Sequence, residues 1–503
     1  MNQANINTND KTVIKLTGQL EKDLKQVEDH FERCSDVVYK RIALEENSTE
    51  VVAVYLDGLV DERRIDVELL DPLREHIAAL KQKKFEEEQI GIFARASYAN
   101  QIRTTGSMED AITAMCKGDT AILAEGMPVI FLASLKKWEQ RAIEEPVSES
   151  VIRGPRDGFN ENLRVNTSLI RRRLPSTELK IEAMRIGRLS QTDIAIVYVD
   201  SIVMPGLVAE IKSRINKIDI DAVLESGYIE ELICDSTFSI FPQMISTERP
   251  DRVTAGILEG RAAIMVDNTP FALIAPSIFA DALQASEDYY QHFIVSTAIR
   301  WLRLCMSICA LIFPSLYIAV TTYHQEMLPT NLLLSIASSR ENVPFPAIIE
   351  ALLMEAAFEA LREAGIRLPR PVGQAVSIVG ALVIGQAAVQ AGIVSATLII
   401  VVSFTGISSF IFPIYNQGLA IRVLRFPLML LAGIFGLYGI FLGLLLILAH
   451  LCKLRSFGVP YLSPVSPLNI GDLKDVLIRA PRSKMTSRPS QIGKANRKRA
   501  SRS

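Results

Sequence analysis

The chain has 503 residues, 54 of them Lys or Arg and 56 Asp or Glu, and 49% are hydrophobic. That length excludes a single ordinary domain, and the near-neutral balance excludes a uniformly basic or acidic binding protein. Six cysteines without a Cys-x-x-Cys pair imply no disulfide framework.

Residues 1–34 form a variable segment: a polar stretch, then a charged amphipathic helix over 20–31. The opening MNQANINTNDKTVIK lacks the apolar core of a signal peptide, so the soluble part is expected on the cytoplasmic side. A first α/β lobe is expected over 35–150. Its marks are the run VVAVYLDG at 51–58, apolar on both faces as a buried strand of a mixed sheet would be, and a hairpin joining 118–123 to 129–132.

A second lobe, 175–285, repeats that order. The run at 194–200 echoes 51–57, with Tyr198 for Tyr55 and Asp200 for Asp57, and a later hairpin places Pro270 where Pro128 stands. The offsets, 143 and 142, imply a duplicated α/β unit, each copy a small sheet with helices. Paired lobes can enclose a ligand or form a rigid assembly platform, and the platform is the more economical reading. Between them lies an Arg-rich linker, 151–174, whose interaction candidates are Arg156, Asp157, Arg164 and Arg171. It has no Gly-x-x-x-x-Gly-Lys pattern, so it reads as a segment stitched to both lobes by salt bridges rather than as a phosphate site.

Residues 286–455 form the membrane domain. The stretches 304–323, 371–420 and 426–449 contain no Asp, Glu, Lys or Arg, and a spanning helix needs ~20 apolar residues. Four spans are expected, near 302–323, 371–390, 394–414 and 426–451. Arg300 and Arg303 bracket Trp301, which reads as an anchor at the cytoplasmic face.

After the turn Val343-Pro344-Phe345-Pro346 comes an amphipathic helix, 346–364, expected as a re-entrant or interfacial excursion. Glu355, Glu359 and Glu363 share one stripe, opposite Leu353, Met354, Ala357, Phe358 and Leu361. One carboxylate at the centre of a lipid-facing helix costs about 2.5–3.5 kcal/mol, so the stripe must face water or protein. Around an axis of several copies each acid becomes a ring that selects cations, with Gln386 and Gln390, one turn apart, lining or packing the pore. The competing reading is a wetted helix face with Arg362 as partner.

Four crossings keep both ends on one side but put Arg367, Arg370, Arg422 and Arg425 outside, against the positive-inside bias. The tail, 456–503, is basic: from Lys453 onward there are twelve Lys and Arg against Asp472 and Asp475. It reads as a solvated cytoplasmic end, or as an arm that touches anionic lipid or a partner. The five histidines have no Cys or Glu at metal-ligand spacing, and neither Gly-x-Ser-x-Gly nor Gly-x-Gly-x-x-Gly occurs in a suitable setting, so no metal, cofactor or enzymatic activity is expected.

Several stretches carry a family resemblance. They are Ser315-Leu316-Tyr317-Ile318-Ala319, His324-Gln325-Glu326-Met327-Leu328-Pro329-Thr330, Val343-Pro344-Phe345-Pro346, Glu350-Ala351-Leu352-Leu353-Met354-Glu355, Arg362-Glu363-Ala364-Gly365-Ile366-Arg367, 375–388, 155–173 and Val459-Pro460-Tyr461-Leu462-Ser463-Pro464. Together they resemble the A subunits of GerA-type spore germination receptors over residues 35–482. The resemblance implies a multi-pass protein of the spore inner membrane with both terminal regions on the spore-core side. It implies partners as well: a transporter-like B subunit that senses the nutrient, a lipoprotein C subunit, membrane lipid and further copies of the chain, with no nucleic acid. The assembly so implied is an oligomeric ligand-gated cation channel that triggers germination. A related branch tied to dipicolinic acid export is similar, which leaves the alternative of a non-conducting scaffold in a germination or dipicolinic acid release complex.

Overall fold

The computed structural model describes residues 16–43, 50–71, 102–137, 145–146, 149, 151–368, 383 and 385–499. The soluble half is built on two five-stranded sheets. In the first, β1 (Val37–Ala43), β2 (Glu50–Leu56), β3 (Ile102–Thr105), β4 (Thr120–Ala124) and β5 (Ile130–Ala133) lie in the order β1-β2-β4-β5-β3. In the second, β6 (Leu179–Ile186), β7 (Thr192–Val199), β8 (Ile245–Thr247), β9 (Ala262–Val266) and β10 (Ala272–Ala275) lie in the order β6-β7-β9-β10-β8. The order is the same in both. Val54 faces Ala121 in one sheet and Val197 faces Ala263 in the other, which are the sequence offsets of 143 and 142.

Every pairing described within the two sheets is antiparallel, in place of a mixed sheet. Burial on both faces, not strand direction, makes the β2 run continuous. Val52, Val54 and Leu56 pack with Leu24 of α1 (Leu20–His30) and Met115 of α2 (Met108–Cys116), while Val51, Ala53 and Tyr55 pack on Ile65 and Leu69.

Helix α3 (Leu163–Arg173) starts at Asn162, whose side chain accepts from the N–H groups of Arg164 and Val165. Its Leu169 and Ile170 enter the core under the second sheet. The second lobe adds α4 (Leu207–Ile215), α5 (Ser226–Ile233) and α6 (Pro250–Glu259). Pro250 opens α6, and Gly260 closes it with φ 106°, a conformation that favours glycine.

The membrane half consists of α7 (Phe293–Thr322), α8 (Thr330–Arg340), α9 (Ala347–Arg367), α10 (Ala396–Ser409) and α11 (Tyr415–Lys453). Two of them, α7 and α11, are long and apolar enough to cross a membrane. Most of the expected span 371–390 lies outside the described residues.

Helix α11 is broken at Gly436, with φ 60° and ψ −138°, and the chain doubles back there. Ala420 and Leu451 share one apolar cluster, against which Leu424 and Ile447 pack. A Cβ on Gly443 would lie 2.5 Å from Leu428 Cδ1, and one on Gly439 would overlap the Leu431 carbonyl. A straight helix would hold residues 420 and 451 ~46 Å apart. The single span expected near 426–451 is therefore a hairpin corner with two arms, and the run misleads because it stays apolar through the turn.

Helix α9 packs lengthwise in the bundle. Ile348 meets Gly433 near the hairpin corner, while at its other end Phe358 lies on Gly406 and Arg362 hydrogen-bonds Ser409. Its faces are arranged as in a membrane rather than in water: Glu350 and Glu355 point inward at 1% and 0% exposure, and Leu353 points outward.

Candidate functional site

Each of the four carboxylates of α9 has a basic partner within the chain. Glu350 accepts from the Ser395 N–H at 2.5 Å and lies 3.5 Å from Arg340 Nε. Glu355 pairs with Arg425 of the first α11 arm, both fully buried. Glu359 accepts from Arg362 at 3.1 Å and lies 3.8 Å from Arg422. Glu363, the most exposed, accepts from Arg367 Nε at 2.8 Å.

The first α11 arm positions the arginines. Ile414, just before it, belongs to the core of the second lobe, and Gln417 donates to the Tyr461 hydroxyl at 2.7 Å. Arg422 follows about 12 Å along the helix from Ile414, nearer the lobes than the corner, and Arg425 about 17 Å along, midway between Ile414 and the corner at Gly436. Arg362 stacks over the Phe410 ring at 4.5 Å.

The seam is not fully satisfied. Among the described residues, Glu355 Oε1, Arg362 Nε, Arg422 Nε, Arg425 Nε and Arg425 Nη2 are buried without a hydrogen-bond partner. Buried charge with open polar valences is expensive, because the Coulomb gain repays desolvation only when every donor and acceptor is used. Such a seam is poor as a staple and suited to exchanging partners. Gln386 and Gln390 are exposed and take no part in its ion pairs.

The linker candidates divide. Arg171 is 1% exposed and holds Asp36 with two hydrogen bonds, 3.0 and 2.8 Å, while donating to the carbonyls of Ser176 and Leu179. Arg164 lies 3.3 Å from Asp57, so α3 reaches the first sheet through both arginines. Asp157 accepts from Arg173 at 2.5 Å. Arg156 stands 3.9 Å from Glu145, with both exposed.

A second cluster joins the lobes to the bundle. Arg300 and Arg303 are not surface anchors: they are 1% and 5% exposed and share the carboxylate of Asp288, at 3.0 Å and 2.9 Å. Asp475 of the tail adds a 3.1 Å contact to Arg300 and accepts from the Tyr289 hydroxyl at 3.0 Å. Burial pushes the Asp475 carboxyl upward, although Arg300 pulls it down. The described part of the tail is folded rather than solvated, with Met485 and Ile492 buried and Arg488 donating to the Leu258 carbonyl at 2.7 Å. Asp288 had no legible signal, because the turn between it and α7 erases any helical spacing. Among the described residues no three His, Cys, Asp or Glu side chains converge on a metal position.

Comparison with known proteins gives a consistent picture. The family described as Bacillus/Clostridium GerA spore germination protein matches residues 25–491. The uncharacterized membrane protein YfkQ of Bacillus subtilis (strain 168) is 47% identical over 481 residues, covering 96% of this chain and 93% of its own length. Spore germination protein KA of the same organism is 43% identical over 483 residues, covering 96% and 88%. Among solved structures, the N-terminal domain of the A subunit of the Bacillus megaterium spore germinant receptor GerK3 is similar with a TM-score of 0.43 and 31% identity, over 54% of this chain and 99% of that one.

Proposed function

Because this chain belongs to the Bacillus/Clostridium GerA spore germination protein family, we propose that it is the membrane-embedded A subunit of a nutrient germinant receptor. Several copies assemble in the spore inner membrane, with a transporter-like B subunit and a lipoprotein C subunit, into a ligand-gated cation channel. The observation that carries conduction is the charged seam: Glu355, Glu359, Arg362, Arg422 and Arg425 meet inside an otherwise apolar bundle. Charge at membrane depth is retained where it serves an ion path or a relay.

In this reading α7, α9, the 371–390 segment, α10 and the two arms of α11 cross in alternation, six crossings in place of four. Tyr323 at the far end of α7 donates to the Gly433 and Ile434 carbonyls beside the hairpin corner, while Ser408 of α10 reaches Met306 nearer the lobes. Arg367 and Arg422 then lie toward the spore core, while Arg425 sits midway along its arm and is neutralised by Glu355, so the conflict with the positive-inside bias is relieved. Glu355 and Glu359 lose Arg425 and Arg422 when the first α11 arm withdraws, and with the exposed Glu363 they concentrate cations, while Gln386 and Gln390 line or pack beside the path.

The second reading is a non-conducting scaffold. It is favoured by the internal pairing of every α9 carboxylate. Subunit counting on the chain in mild detergent, with K⁺ flux from liposomes, separates the two. The channel requires an oligomer and flux; a monomer without flux establishes the scaffold.

A further inference from the structure

We propose that the 236–240 loop of the second lobe is a lipid-inserting wedge, with Phe238 and Ile240 entering the bilayer interface beside the last turn of α11. The inference rests on the membrane reading of that helix. Phe238 is 99% exposed and Ile240 43%, in a segment that neither the charged seam nor the lobe cores use.

The loop is held by its own bonds, so the tip is preformed. The Ser236 N–H donates to Gln243 Oε1 at 3.0 Å, and Gln243 Nε2 donates back to the Ser236 carbonyl at 2.7 Å. Gln243 itself is 4% exposed. Presenting a phenylalanine from a rigid loop costs no ordering on insertion.

Its position names the occupant. Ser239 Oγ lies 2.9 Å from His450 Nε2, and Phe241 stacks on the His450 ring with centroids 6.1 Å apart. His450 lies in the last turn of the second α11 arm, one turn beyond the outward-facing Leu446. The aromatic tip is thus continuous with the lipid-facing surface of the hairpin. Exposed Lys453 and Arg455 follow at the same level and suit anionic headgroups. An apolar tip with a basic rim beside the end of a span is the composition of an interfacial anchor, not of a contact between two wetted proteins.

The test uses the full chain in vesicles of phosphatidylcholine and phosphatidylglycerol, with bromines on the acyl chains near the glycerol end. Phe238→Trp adds fluorescence that is read as an increment over the parent, since Trp138 and Trp301 are common to both. Leu446→Trp reports on the helix. The inference expects the increment at 238 to be quenched to roughly half by brominated lipid and shielded from aqueous iodide, as an interfacial depth requires. Quenching at 446 with iodide access and no bromine quenching at 238 puts the loop in water and overturns it. Protection at 238 from both quenchers means a protein cover and overturns it too. Absence of bromine quenching at 446 removes the membrane reading of α11 and the inference with it.

Discussion

Glu355 of α9 and Arg425 of α11 form an ion pair in which neither side chain reaches solvent, and they join helices 70 residues apart in the chain. The pair lies where the acidic helix meets the hairpin, and its energetics are directly measurable. Removing one partner strands the other charge, so Glu355→Met or Arg425→Met alone costs about 3–5 kcal/mol. The double Met variant recovers most of that, read as the thermal midpoint of the full chain in detergent. Additive losses would mean that the two groups do not meet.

The hairpin predicts a cross-link. Cysteines replacing Leu428 and Gly443, which face each other across the two arms, form a disulfide under mild oxidation. A straight α11 would separate them by ~22 Å and give none. Peptide mass mapping distinguishes this link from those of the six native thiols.

Asp288 carries the junction between the second lobe and α7. Asp288→Ala leaves Arg300 and Arg303 buried without their shared carboxylate and costs about 3–5 kcal/mol. Limited proteolysis should show faster cleavage between the lobe and α7. Asp475→Asn is milder, because that side chain is 20% exposed and serves Arg300 alone of the two.

Glu230, on α5, sets a pH dependence. Burial, with the Glu225 charge adding to it, pushes its carboxyl from 4.5 up to about 7. The folded chain therefore binds this proton more tightly than the unfolded chain does. The stabilisation is complete below pH 4.5 and is lost as pH rises through about 7. Glu230→Gln removes that slope and makes the chain more stable at alkaline pH by about 1–3 kcal/mol. Parallel melting profiles for parent and variant would contradict the assignment.

The duplicated lobe was legible because strand alternation and hairpin register fix where equivalent residues fall. Tyr55 and Tyr198, and Pro128 and Pro270, keep their spacing through both sheets. The membrane half was less so, for three physical reasons. Gly436 turns the chain inside an unbroken apolar run, where no polar residue marks a corner. Arg422 and Arg425 meet Glu359 and Glu355 from a distant helix, and no spacing rule spans that distance. The amphipathic pattern of α9 was visible, but its orientation inverts in an apolar surrounding: Leu353 faces out and Glu355 faces in.

The central claim is that the seam between α9 and α11 becomes a cation path. The reversal potential of the purified chain in a K⁺ gradient across liposomes, compared with Glu359→Lys, tests it most directly. The account predicts a cation-selective conductance in the parent and a shift toward anions in the variant. Equal selectivity in the two, or no conductance from an assembled oligomer, would contradict it.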